Sequence, residues 1–389
     1  MADISFLNWP FFESHHKELA QNVDTWASQN SALFDKSQED LDASCREIVG
    51  ALADGGWLNY TIPKVEGGAH NTLDVRSLCL IRETLAKYSG LVDFCFAMQG
   101  LGSGAISLFG SDELKASYLP EVASGKKIAA FALSEVNAGS DVANLSTSYK
   151  DMGDHYLING EKTFISNGGI ANFYTVFARA DCETGSKPIS AFVVDANVGG
   201  VEIAERIEVI APHPLARIKF TNCKVPKTHL LGQEKSGFKI AMATLDVFRS
   251  TVGAASLGLA RRALDEALAR ANSREIFGEP LFNQQIIQAM LAEMAVDIDA
   301  SALLIYRAGW IKDTSGARIT REAAMAKLHA TESAQKTIDK AQQIFGGLGV
   351  VKGQKVEELY REIRALRIYE GASEVQKIII ARQLLDQPK

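Results

Sequence analysis

The sequence predicts an α+β chain: a helical N-terminal domain over residues 1–125, a β domain over 126–235 and a four-helix bundle over 236–389. Three observations carry this expectation. Apolar residues recur at helical spacing early in the chain, as in Leu41, Cys45, Ile48, Val49 and Leu52. The middle of the chain changes to β-rich runs such as F-Y-T-V-F-A-R and I-S-A-F-V-V-D. Long periodic runs then cover 236–272, 282–313 and 320–345, with a last one after 371, joined by short breaks as in a bundle.

Each element has a local reason. Gly55-Gly56 stops the run that begins near Leu41, and T-I-P-K-V-E-G-G-A-H reads as a Pro/Gly loop. Residues 75–125 read as further helices, broken at Gly100–Gly104 and at Gly110. H-Y-L-I-N-G-E-K-T-F-I-S places Asn159-Gly160 between two β-rich runs, which predicts a hairpin.

Composition excludes several classes. With 389 residues and 47% hydrophobic content the chain has ample material for a core. Its net charge is −6 and it has no basic tract, so nucleic-acid binding is not expected. The cysteines (Cys45, Cys79, Cys95, Cys182, Cys223) are scattered, without a C-x-x-C pair or a neighbouring His, so no metal site or disulfide framework is expected. The start, M-A-D-I-S-F-L-N-W, shows no signal-peptide pattern, and no apolar run is read as long enough to span a membrane; a cytoplasmic location is expected.

Five stretches carry chemistry. In F-A-L-S-E-V-N-A-G-S-D-V a strand ends near Leu133, and a small-residue turn, Asn137 to Ser140, lets backbone N–H groups approach a ligand. An ordinary β-turn is the equal alternative. In G-E-K-T-F-I-S-N-G-G, Phe164 and Ser166 alternate on one strand face and suit a flat ring with polar edges, or else a core aromatic. R-E-I-F-G-E-P-L-F-N-Q-Q links two long helices, and Q-Q-I-F-G-G-L-G-V has a G-G-x-G without the preceding strand of a phosphate loop. In R-I-Y-E-G-A-S-E-V-Q, Glu370 is either a helix cap or a base.

Together and in this order, these stretches resemble the acyl-CoA dehydrogenase family over nearly the whole chain. The matching motifs are A-L-S-E-V-N-A-G-S-D, N-G-x-K-x-x-I-S-N, R-x-x-F-G-x-P-L-x-x-x-Q, Q-x-x-G-G-x-G and I-Y-E-G-A. The resemblance implies the acyl-CoA dehydrogenase fold, with FAD between the β domain and the bundle. It implies that Leu133 and Ser134 face the flavin ring and that Phe164 and Ser166 cover it, Ser166 near N5. Arg274, Phe277 and Gln285 would hold the pyrophosphate and adenosine, typically of a neighbouring subunit; Gln343, Gly346 and Gly347 would meet the same dinucleotide, and Ala372 and Glu374 its adenosine half. Ser140, Asp246 and Arg249 would contact acyl-CoA, Ser140 lying close to the cofactor as well, and Gly371 would lie beside the thioester.

The implied reaction is α,β-dehydrogenation of an acyl-CoA to the trans-2-enoyl-CoA. Glu370 would take the α-proton as general base while the β-hydrogen leaves as hydride to flavin N5. The backbone N–H of Glu370 and a ribityl hydroxyl would stabilise the enolate oxygen. Some family members carry the base just before an arginine on an earlier bundle helix; here that slot is Phe248, before Arg249, which takes no proton. The expected partners are an acyl-CoA and an electron-transfer flavoprotein, in a homo-oligomer of the dimer-of-dimers type acting in fatty acid or carboxylic acid degradation. A flavin oxidase on the same fold and a non-catalytic flavin- or CoA-binding scaffold are the alternatives.

The chain departs from the family pattern at four places. Val136 replaces a Pro, Phe164 a common Trp and Ala372 a Thr, and I-A-P-H-P-L-A-R at 210–217 puts His213 between two prolines. That loop reads as rigid with a solvated His, or as a substrate or partner contact. A-M-Q-G-L-G-S-G-A-I-S-L-F-G, 97–110, reads either as the wall of a wide acyl pocket, suited to branched, cyclic or aromatic groups, or as close helix packing.

Overall fold

Capped amphipathic segments set the helices. The computed structural model describes residues 3–34, 40–181 and 188–385, so Cys182 lies outside the described residues. In chain order the helices are α1 (Ser14–Gln29), α2 (Ser31–Phe34), α3 (Leu41–Asp54), α4 (Val75–Tyr88), α5 (Gly90–Phe109), α6 (Asp112–Ala123), α7 (Gly237–Ser273), α8 (Gln285–Ser315), α9 (Thr320–Phe345), α10 (Lys355–Leu366) and α11 (Ser373–Leu385). Asp40 caps α3 by accepting from the Ala43 N–H at 3.0 Å, and Asp74 caps α4 by accepting from Ser77 at 2.7 Å. Gly55 ends α3, and Gly56 turns the chain away at φ 76°.

The chain forms two compact units. One gathers residues 1–34, 74–93 and 246–389; the other gathers 35–73 and 94–245. The divisions at 93/94 and 245/246 fall inside α5 and α7.

In the first unit α4 packs on α1 and α8, and α9 packs on α8, α10 and α11. Its core holds a charged knot: the Arg261 Nε donates to Glu83 at 2.6 Å, and the Tyr306 hydroxyl donates to the same carboxylate. Phe6 stacks on Tyr306 with centroids 5.6 Å apart, sealing the knot from water. A Cβ on Gly258 would fall 2.0 Å from the Glu83 carbonyl oxygen, so glycine sets how closely α7 meets α4.

The second unit is built on β1 (Ala129–Ala132), β2 (Ser148–Asp151), β3 (His155–Ser166), β4 (Phe173–Ala180), β5 (Ile189–Asp195), β6 (Val201–Ile207), β7 (Leu215–Pro226) and β8 (Leu230–Leu231). The sheet order is β6-β7-β3-β2-β4-β5-β8, with β1 parallel to β4. Tyr149, Tyr156 and Phe192 meet edge to face in its core, with centroids 5.0–5.6 Å apart.

Three local expectations fail here. Asn159-Gly160 is not a hairpin turn: β3 runs straight through it, with a register shift between Ile158 and Gly160. The Asn159 side chain accepts from the Asn222 N–H at 2.7 Å, and a Cβ on Gly160 would lie 2.6 Å from Thr147 Cα, so the pair makes a bulge. Nor does Gly100–Gly104 break a helix, since α5 continues to Phe109. Gly102 lets α5 approach β1, where an added Cβ would sit 2.6 Å from that of Ala129. The Gly102 carbonyl also accepts from the Thr175 hydroxyl at 2.8 Å, so at this position close packing accounts for the glycine. Finally, α5 is long and apolar enough to cross a membrane, but 94% of that window is buried, as in a core helix.

His213 is not a solvated side chain. It is partly buried, and its ring meets Phe94 edge to face at 4.5 Å. Among the described residues no cluster of three or more His, Cys, Asp or Glu is placed to hold a metal.

Replacing Gly102 with Ala should cost about 1–3 kcal/mol by forcing α5 off β1. Chemical denaturation should show a lower midpoint with an unchanged m-value; an unchanged midpoint would mean that the sheet gives way at no cost.

Candidate active site

Two groups of residues stand out, one in each unit. In the second unit the loop after β1 is braced against β3. Lys162, fully buried, donates to the Leu133 carbonyl at 3.0 Å and to Glu135 at 2.8 Å. The Glu135 carboxylate also accepts from the Ser146 N–H and hydroxyl, each at 2.5 Å, and from the Thr147 N–H at 2.9 Å. Burial would raise its pKa, but Lys162 and the Ser146 donors outweigh it and hold the carboxyl down to about 2. The Thr163 N–H donates to the Ser134 carbonyl at 3.0 Å.

Braced in this way, the loop and strand present a fixed set of groups. The β3–β7 register shifts between Lys162 and Ile165, and Phe164 sits in that bulge at φ 54° with 61% of its surface exposed. Regular alternation therefore does not govern this end of β3; the bulge turns the Phe164 ring outward. Leu133 is buried, and Ser134 and Ser166 are partly buried with hydroxyls that bond no other described residue. The turn after Glu135 is closed by reciprocal Glu135–Ala138 backbone bonds of 3.1 and 3.2 Å, leaving Ser140 exposed. An outward aromatic at strained φ, an apolar neighbour and two unengaged hydroxyls fit a flat ring system with polar edges, as flavin is.

In the first unit the centre is the turn between α10 and α11. Glu370 has φ 52° and Gly371 φ 95°. Only the glycine adopts such a value freely, so Glu370 is held there under strain. The Gly371 carbonyl accepts from Lys327 Nζ at 2.8 Å and from Gln376 Nε2 at 2.8 Å. A Cβ on Gly371 would lie 2.4 Å from that Gln376 nitrogen, so the turn itself requires glycine here. The N–H groups of Ile368 and Tyr369 bond to the Ala365 carbonyl and that of Ser373 to Arg367, whereas the Glu370 N–H enters none of these turn bonds.

The Glu370 Oε2 atom is buried and has no hydrogen-bond partner among the described residues. Burial pushes this carboxyl up to about 7, against the pull of Arg82, Lys327 and Arg249, with Asp93 adding to the rise. Asp93 binds Arg82 through two contacts of 2.8 Å, and Arg82 also donates to the Thr251 hydroxyl at 2.9 Å. Arg249, buried, donates to Asp246 at 2.8 Å and keeps an unpaired Nε. Asp246 also accepts from Arg318 and Thr320, so it serves as the anchor for Arg249.

The remaining expected residues lie at the surface of the first unit. Arg274 and Phe277 belong to the hairpin of β9 (Glu275–Ile276) and β10 (Glu279–Pro280), where Phe277, at φ 53° and 90% exposed, shares the two-residue turn with Gly278. Gln285 opens α8, Gln343 lies in the last turn of α9, and Gly346 and Gly347 follow that helix; all are exposed. Ala372 stands before α11 with no oxygen to cap it, and Glu374 is exposed in its first turn.

Comparison with known proteins decides the family. The acyl-CoA dehydrogenase N-terminal, middle and C-terminal domain models match residues 13–126, 130–223 and 235–385. The chain belongs to the acyl-CoA dehydrogenase family. It is 37% identical to a 3-(aryl)acrylate reductase of Clostridium sporogenes, over 96% of this chain and 100% of that one. It is 39% identical to a caffeyl-CoA reductase–Etf complex subunit of Acetobacterium woodii, over 87% and 90%. Among solved structures, an acyl-CoA dehydrogenase of Bacillus anthracis complexed with FAD matches at TM-score 0.89 and 28% identity, over 99% of this chain and 71% of that one.

This acyl-CoA dehydrogenase family member is thus an FAD-dependent oxidoreductase acting on a CH–CH bond of an acyl-CoA, and its fold is the helix–sheet–helix fold of that family. Sequence reasoning missed Lys327, Arg82 and Gln376. Lys327 falls on the buried alanine stripe of α9, beside Ala323, Ala324, Ala326 and Ala330, and a cation in that stripe was the available signal.

The Glu370 environment has a consequence for stability. Its folded pKa lies above the ordinary 4.5, so the folded state is favoured while the carboxyl is protonated and loses that advantage as pH rises towards 7. Glu370→Gln, which cannot ionise, should therefore gain on the wild type between pH 5 and pH 8, by on the order of 3 kcal/mol at most. Unfolding of the holoenzymes at both pH values checks this; a constant difference would place the carboxyl in the ordinary range.

Proposed function

We propose that Glu370 is the proton-transferring group of an acyl-CoA dehydrogenase whose acyl chain carries an aryl or similarly bulky group. The observation that carries the first part is the unpaired, desolvated Oε2 of Glu370 in a turn under backbone strain. A carboxyl raised to about 7 is near half protonation at neutral pH. It can take the α-proton in the oxidising direction and return it in the reducing direction. The Glu370 N–H is free of the turn's own bonds and is suited to donate to the thioester oxygen, stabilising the negative charge that develops there.

FAD, when bound, supplies the two-electron acceptor for the β-hydrogen. Leu133, Ser134, Phe164 and Ser166 would hold its ring. Arg274, Phe277, Gln285, Gln343, Gly346, Gly347, Ala372 and Glu374 would hold its pyrophosphate and adenosine. The exposed Phe277 at a hairpin tip suits a reach into a second copy of the chain, hence a homo-oligomer. Ser140 and Arg249, with Asp246 behind it, would meet the acyl-CoA, and Gly371 would flank the thioester.

The substrate class rests on the relatives named for aryl-acrylate and caffeyl-CoA reduction, not on the glycines of α5, since Gly102 is taken up by packing. The same comparison supports an electron-transfer flavoprotein as redox partner.

Two experiments test this. Glu370→Gln should keep the bound-flavin spectrum yet slow anaerobic bleaching by acyl-CoA by about 100-fold or more; bleaching at the wild-type rate would remove Glu370 from the chemistry. Across a panel of acyl-CoAs, 3-arylpropionyl-CoA should bleach the flavin at least about 10-fold more efficiently than butyryl- or octanoyl-CoA. Preference for the linear chains would overturn the aryl reading.

A further inference from the structure

Each cation near Glu370 has a different local balance. Arg82 is neutralised by the two-point contact with Asp93, and Arg249 is ion-paired to Asp246, which the exposed Arg318 shares at 3.3 Å. Lys327 is not. It is fully buried, its ammonium bonds one neutral acceptor, the Gly371 carbonyl at 2.8 Å, and among the described residues it forms no ion pair. The other acids acting on it are engaged or exposed: Glu332 is held by Arg367 at 2.8 Å and by the Ser373 hydroxyl at 2.5 Å, and Glu374 is exposed. Burying an ammonium without an anion is costly. Among the charges acting on it Glu370 is the strongest, and the Oε2 of that acid has no partner among the described residues.

We propose that Lys327 is the positioning residue for Glu370: its ammonium fixes the Gly371 carbonyl and supplies the uncompensated positive charge against which the carboxylate forms. This rests on Glu370 being the proton-transferring group. Arg82 and Arg249 act on Glu370 as halves of ion pairs, whose fields fall off quickly; Lys327 acts as a net charge. Burial pushes the Lys327 ammonium down to about 8, opposed by Glu370 and reinforced by Arg249, with Glu332 and Glu374 opposing it more weakly. Asp93 and the neighbouring Tyr369 complete the titratable groups around the carboxylate.

Gln376 supplies an internal control. It donates to the same Gly371 carbonyl at 2.8 Å and to the Glu370 carbonyl at 3.3 Å, but carries no charge. Removing it loosens the turn without changing the field.

The test is the pH dependence of anaerobic single-turnover flavin reduction in the holoenzyme, with 3-phenylpropionyl-CoA as substrate. Lys327→Gln keeps a donor and loses the charge. It should move the acid limb up by at least one pH unit, so that reduction at pH 6 falls about 10-fold or more and recovers as pH rises. Gln376→Leu should lower the plateau and leave the limb in place. A Lys327→Gln limb that coincides with the wild type, or one that Gln376→Leu moves equally, overturns the charge role. Reduction by Glu370→Gln with an unchanged limb would instead remove the base assignment, so the two failures are distinguishable. If Lys327→Gln does not fold, NMR of selectively labelled lysine in the wild type decides. Two lysines, Lys162 and Lys327, should titrate below the ordinary range, and one of them should shift further down in Glu370→Gln; no depressed lysine that responds to Glu370 overturns the proposal.

Discussion

A carboxylate with one oxygen shut away from water and no hydrogen-bond donor on it is disfavoured as an anion, and the helical unit is arranged around that fact. Glu370 occupies a strained turn, its Oε2 unpaired, with Arg82, Arg249 and Lys327 contributed by three separate helices. Two of these cations are tied to aspartates. The partial neutralisation is what leaves the acid near the middle of its titration instead of fully ionised. Full pairing would make Glu370 an inert anion; no cations at all would leave it protonated.

The sheet unit meets a different requirement, that of holding a surface still without filling it. Lys162 and Glu135, both buried, knit the loop after β1 to β3 and leave Phe164, Ser134 and Ser166 unengaged. The buried pair contributes registration more than net stability, since its desolvation offsets much of its attraction. Groups used on a ligand are held by groups that are not, which is how a site keeps its shape before anything binds.

Much of this was legible in the sequence, and the failures have specific causes. Helical periodicity and β-rich runs report directly on burial, so the helix–sheet–helix texture and the position of Glu370 just ahead of the last helix were readable. Asn159-Gly160 misled because the dipeptide specifies only a local backbone shape, and a bulge inside β3 uses that shape as well as a hairpin does. Gly100–Gly104 misled because helix propensity is a weak prior that the contact of Gly102 with β1 overrides. Lys327 went unnoticed for the reverse reason. Its importance lies in partners distant in sequence, Gly371 and Glu370, and no short motif encodes that meeting.

The way the chain is divided has a consequence for how it is made. The sheet unit has its full complement of residues once position 245 has emerged during synthesis, whereas the helical unit joins residues 1–34 and 74–93 to residues 246–389. Its early helices must therefore wait, incompletely covered, until residues 246–389 are translated. Glu370 lies more than a hundred residues beyond the last residue of the sheet unit, so the strained turn closes onto Lys327 well after that unit can be complete. A truncation between 245 and 370 would leave the sheet complete and strand residues 74–93 without their later partners.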